Sequence, residues 1–101
     1  MRVPRYTSPV FILTFEEKDL DLTQASDVFV TFKQASFSMT KTGDDLEVEE
    51  KAISVFMDQN ETAQFCEGDV DIQANWIVGN KRAASEIVSL KFSKQLLQRV
   101  I

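Results

Sequence analysis

The sequence contains no histidine at all and a single cysteine, Cys66, among its 101 residues. The first absence removes imidazole acid–base chemistry and zinc sites of the Cys/His kind. The second removes any internal disulfide framework and fits synthesis in a reducing cytoplasm. Three glycines and two prolines leave room only for short turns. The longest apolar run, Val10 to Leu13, is far too short to span a bilayer. Arg2 and Arg5 near the start are not followed by the apolar stretch of a signal peptide, so none is expected. No residue set calls for a cofactor.

What is present is an ordinary globular balance, 44% hydrophobic and 27% charged, with eight phenylalanines to fill a core. The length allows one domain, residues 1–101, with 1–7 and 94–101 read as flanking tails. The apolar end of the second tail, Leu96, Leu97, Val100 and Ile101, suits packing on its own domain or on a neighbour. A net charge of −5 disfavours binding to nucleic acid or to an anionic membrane. From Asp44 to Asp71 ten acidic residues face one base, Lys51, whereas from Lys81 to Ile101 five bases face Glu86 alone. Two solvated faces explain this asymmetry more simply than head-to-tail stacking does.

The dominant periodicity is two. Val28, Val30 and Phe32 alternate with Phe29, Thr31 and Lys33, and similar alternation runs through Leu46–Glu49, Ile53–Met57 and Ile87–Phe92. Such a pattern sets one apolar face on a core and one in solvent, as in antiparallel strands. Seven strands are predicted, at 9–15, 26–33, 36–41, 45–50, 52–57, 69–78 and 84–93. Thr42-Gly43-Asp44 and Gly79-Asn80-Lys81 read as hairpin turns. Asp58-Gln59-Asn60-Glu61 has the form of a capping box, with Asp58 and Glu61 as the cap residues of one short helical turn over 59–66, which Gly68 would end. The expectation is an all-β antiparallel β-sandwich of immunoglobulin-like architecture, with about seven strands and one helical turn. A small barrel is the competing architecture. The predicted core includes Leu13, Val30, Phe32, Val55, Phe65, Ile72, Trp76, Val88 and Leu90.

Candidate chemical sites are few. Cys66 lacks a histidine partner and lies near the end of its helical turn, so it reads as a buried apolar filler rather than a nucleophile. Asp45, Glu47 and Glu49 share a strand face but no hydrophobic pocket to raise a carboxyl pKa, as glycoside hydrolysis requires. Asp69 and Asp71 lack a third ligand and the glycine of a calcium loop. Trp76 is in phase with Ile72, Ala74 and Val78, which favours core over a sugar-stacking platform. Phe29 and Ile77 fall on the polar phase of their strands, either as a partner contact or beneath a loop.

Val30-Thr31-Phe32-Lys33-Gln34 resembles the Val-Thr-Tyr-x-Gln run of short prophage-encoded proteins of Gram-positive bacteria. Ile53-Ser54-Val55 through Asp58-Gln59-Asn60-Glu61-Thr62-Ala63-Gln64-Phe65 is similar to that group's strand followed by Thr-Gln-Glu-Glu-Thr-x-x-Phe. Val70-Asp71-Ile72-Gln73 and Ala84-Ser85-Glu86-Ile87 resemble its next two strands, and Ser8-Pro9-Val10-Phe11-Ile12-Leu13 falls where the group has an aromatic-rich first strand. The likeness covers residues 8–93, with Asp58 in place of the usual Thr cap and Gly79-Asn80 in place of Asp-Gly. The group resembles in turn the N-terminal sandwich domain of the siphophage baseplate upper protein. The resemblance implies a non-enzymatic structural protein of a phage or prophage, made in the bacterial cytoplasm and associated with tail, baseplate or virion. Its implied partners are other tail or baseplate proteins, with self-association open, and it acts by protein–protein contact. A carbohydrate-binding or adhesion module recognising host glycans is the alternative.

Overall fold

Asp27–Gln34 (β3) and Gly68–Val78 (β7) form the antiparallel pair on which the larger sheet is built. Their alternation places Val28, Val30, Phe32, Val70, Ile72, Ala74 and Trp76 on one buried face. The computed structural model describes residues 2–93. The remaining strands are Arg2–Pro4 (β1), Val10–Thr14 (β2), Phe37–Thr42 (β4), Leu46–Glu49 (β5), Ala52–Phe56 (β6), Lys81–Ala84 (β8) and Val88–Ser93 (β9). One α-helical turn, Gln59–Thr62 (α1), and 3-10 turns at Leu22–Gln24 and Gly43–Asp45 complete the described elements. The larger sheet runs β1-β9-β7-β3-β4, with β8 also on β7; the smaller runs β2-β6-β5. The protein is thus an all-β sandwich of two packed sheets, with nine strands among the described residues where seven were expected.

Between the sheets lie Phe11, Ile53 and Val55 of the smaller sheet and the inner face of the larger. Phenylalanine rings link them. Phe11 contacts Phe32 with ring centroids 5.1 Å apart, and Phe65 contacts Phe92 at 4.9 Å and Phe37 at 5.1 Å. Tilted and edge-on geometries of this kind suit the ring quadrupole. Trp76 is 5% exposed and meets Phe15 edge-on, which agrees with its assignment to the core.

Several expectations are corrected. The first tail is not free: β1 pairs in parallel with Lys91–Ser93, and Val3 is buried. The second tail, residues 94–101, lies outside the described residues. The turn at Thr42-Gly43-Asp44 does not close a hairpin, because β4 and β5 belong to different sheets and the 3-10 turn carries the chain across. The predicted strand 84–93 is two strands. Asn75 lies opposite Ala84, but Ile72 lies opposite Val88, so one extra residue enters the returning strand between them. Ser85 fills this bulge, its Oγ accepting the Ala74 N–H at 2.9 Å and donating to the Glu86 carbonyl. The Gly79-Asn80 hairpin forms as expected, with Gly79 at a φ of +63° that favours glycine.

The burial expected of Val88 and of Cys66 also changes. Val88 is 44% exposed although it shares its phase with buried Phe92, because it stands at the mouth of a groove beside Leu13 and Phe15, beyond the cover of the smaller sheet. Leu13 and Leu90 are half-buried against the core. Cys66 is exposed rather than buried. The helix ends at Thr62, Phe65 takes the inward position, and Gly68 opens β7 at a φ of +127° instead of capping the helix.

Candidate functional site

The outer face of the β3–β7 pair carries the site. Phe29 lies opposite Asn75, and Asp27 opposite Ile77, so Phe29 and Ile77 are diagonal neighbours on one face. Both are half-buried. With Thr31, Thr40, Asn75 and Arg82 they line a shallow depression of about 280 Å³. The structure therefore brings together the two residues that the broken alternation singled out. Among the described residues, no loop covers them to the point of burial.

The rim is held by short polar contacts. The guanidinium of Arg82 donates from Nε and Nη2 to Asn75 Oδ1, each at 3.2 Å. The hydroxyls of Thr31 and Thr40 lie 3.2 Å apart in a cross-strand hydrogen bond. A second depression of about 480 Å³ adjoins it through Thr31 and adds Lys33, Asp71, Gln73 and Ile87. Ile87 escaped the sequence reading because Ser89 and Lys91, on its phase, made that face look solvated. The bulge beside Ser85 keeps it on the outer surface.

The helix cap forms as predicted. Asp58 Oδ1 accepts the Glu61 N–H at 2.8 Å, and Glu61 Oε1 accepts the Asp58 N–H at 3.0 Å. Sequence reasoning missed the third partner. Lys41, 4% exposed, points inward from β4 and its Nζ donates to Glu61 Oε2. Asp45 Oδ1 lies 4.0 Å from the same Nζ.

The other candidates do not assemble. Asp45 sits in the 3-10 turn, which leaves only Glu47 and Glu49 alternating along β5, both exposed. Asp69 and Asp71 are exposed on β7, and Asp71 accepts the Ser89 hydroxyl. No group of three or more acidic or cysteine side chains that could hold a metal occurs among the described residues. Asp21 titrates below the ordinary Asp range, chiefly because the Thr23 hydroxyl donates to it, with help from the Thr23 N–H, but its role is to cap a 3-10 turn. Lys51, the one base of the acidic stretch, donates to the carbonyls of Glu17, Lys18 and Leu20. Cys66 is backbone-clamped, its N–H and C=O both bonded to the Gln34 amide. Among the described residues, no helix is long and apolar enough to cross a membrane. No protein-family model matches the sequence, and no curated protein or solved structure matches it.

Proposed function

We propose that the protein is a non-enzymatic structural protein of a phage or prophage, acting by protein–protein contact within a tail or baseplate. The observation that carries the contact is the adjacency of Phe29 and Ile77 on the outer face of the larger sheet. An apolar centre with a polar rim of Thr31, Thr40, Asn75 and Arg82 has the composition of an interface core and its surround. The phage setting draws on the resemblance of residues 8–93 to short prophage-encoded proteins. The glycan-binding alternative loses its main support, because Trp76 is in the core and Tyr6 is half-buried beneath the Arg5 guanidinium.

The test is a pull-down against the proteins encoded beside this one, run with a glycan array. Phe29→Lys or Ile77→Lys is expected to abolish capture of the tail partner while leaving the melting temperature nearly unchanged, since interface energy concentrates in a few central anchors. Specific glycan binding without a protein partner would replace this reading with the adhesion module.

A further inference from the structure

The free edges of the two sheets are protected unequally. Among the described residues, β1, β4, β8 and the short stretch Val88–Leu90 of β9 beyond β1 present edges of the larger sheet, and β2 and β5 those of the smaller. Strand β1 has three residues and ends in Pro4; β8 begins with Lys81 and Arg82; β5 exposes Glu47 and Glu49. Strand β4 carries the inward-pointing Lys41. Proline, charge, brevity and inward-pointing lysine are the devices that keep edge strands from pairing with other chains. Strand β2, Val10–Thr14, has none of them.

The direction of its backbone groups follows from its pairing with β6. The Met57 N–H donates to the Pro9 carbonyl, and the Phe15 N–H donates to the Lys51 carbonyl. Odd-numbered residues of this segment therefore face β6, and the N–H and C=O groups of Val10, Ile12 and Thr14 point to the open side. On the outer face of the same strand Ile12 is 65% exposed and Val10 48%, with exposed Phe56 opposite Val10.

We propose that β2 pairs with β2 of a second copy of this chain, antiparallel about a two-fold axis at Ile12. The two smaller sheets then join into one. In this register Ile12 faces Ile12 and Val10 faces Thr14 of the second copy, so every open-side donor meets an acceptor. The contact is isologous and closes on itself. Charge selects a second copy in this orientation. The strand is uncharged, so the net charge of −5 is not concentrated at the contact. Residues 5–9, which lead into β2, contain Arg5 and no acid, and the chain after β2 runs Glu16, Glu17, Lys18 and Asp19, three acids against one base. Antiparallel pairing sets the basic flank of one copy beside the acidic flank of the other, whereas parallel pairing would set acid against acid. The apolar Ile12 pair adds a cross-strand contact.

This surface lies on the smaller sheet, away from Phe29 and Ile77, so the two readings stand or fall separately. Sedimentation velocity of the full chain is expected to show a monomer–dimer equilibrium that moves with concentration. Ile12→Lys is expected to weaken it about tenfold or more, the equivalent of 1.4 kcal/mol, with an unchanged circular dichroism spectrum; Phe29→Lys is expected to leave it intact. Register is read by cysteine pairs in a Cys66→Ser background. Ile12→Cys is expected to oxidise to a covalent dimer, and Val10→Cys to do so only when mixed with Thr14→Cys. A chain that stays monomeric at its highest soluble concentration overturns the proposal. So does a dimer indifferent to Ile12→Lys, or Val10→Cys linking to itself as readily as Ile12→Cys.

Discussion

Lys41 donates from Nζ to Glu61 Oε2 while Glu61 Oε1 accepts the Asp58 N–H, so one carboxylate fastens the helix cap to the larger sheet. The two partners are unequally covered, with side-chain exposures of 5% for Lys41 and 26% for Glu61. That inequality decides which deletion hurts. Glu61→Ala strands a buried ammonium with only the more distant Asp45, and is expected to cost about 2 kcal/mol, below the usual cost of breaking a fully buried pair because Glu61 is partly solvated. Lys41→Met fills the same space and leaves a carboxylate that water can reach, so it is expected to fall within about 1 kcal/mol of the parent. Urea unfolding of both variants checks the order.

The cap itself gives a smaller effect. Asp58→Ala is expected to lose about 1 kcal/mol, and Asp58→Thr to be nearly neutral, because a hydroxyl oxygen also accepts the Glu61 N–H. Thermal unfolding of the two variants distinguishes capping from any further role of the carboxylate.

Burial differs sharply between two residues that share an inward phase. Phe32 is fully buried and touches the Phe11 and Phe65 rings, so Phe32→Ala is expected to cost about 3–5 kcal/mol. Val88→Ala is expected to cost less than about 1 kcal/mol, since Val88 stays 44% exposed and fewer methyl contacts are lost than at a fully buried site. Denaturant midpoints for the pair measure the contrast.

The turn between β3 and β4 holds Ala35 at a φ of +52°. That left-handed conformation strains any residue with a Cβ. Ala35→Gly is expected to raise stability by about 0.5–1 kcal/mol, the relief of strain outweighing the added freedom of the unfolded chain. A fall in melting temperature would contradict it.

Cys66 is exposed and held through its backbone rather than its sulfur. The folded protein is expected to react with a thiol-modifying dye without prior unfolding, and Cys66→Ser to change stability by less than about 0.5 kcal/mol.

The strands of the core pair were legible because alternation is a local signal, and Val28–Phe32 and Ile72–Trp76 each carry it cleanly. The capping box was legible for the same reason: its residues lie three apart. Sheet assignment was not. Thr42-Gly43-Asp44 reads alike whether the flanking strands pair or part, and only packing sends β4 and β5 to different sheets. The bulge was hidden because Ile87 and Val88 are both apolar and leave the phase ambiguous. Strand β1 has too few residues for a period, and its partner lies at the far end of the described chain. Phe29 and Ile77 each showed as a break in alternation, but their adjacency is a matter of register. The open edge of β2 did leave a trace: four consecutive apolar residues from Val10 to Leu13, where a strand with one wet face should alternate.

The parallel pairing of β1 with β9 has a consequence for synthesis. Arg2 and Lys91 are partners separated by nearly the whole described chain. A ribosome releases Val3 89 residues before Phe92, so β1 waits with its valine in water until β9 has been made. Closing so long a loop is entropically costly and is rewarded only when β9 docks on β7. That side of the larger sheet therefore closes in one step, with β9 carrying β1 into place as it docks.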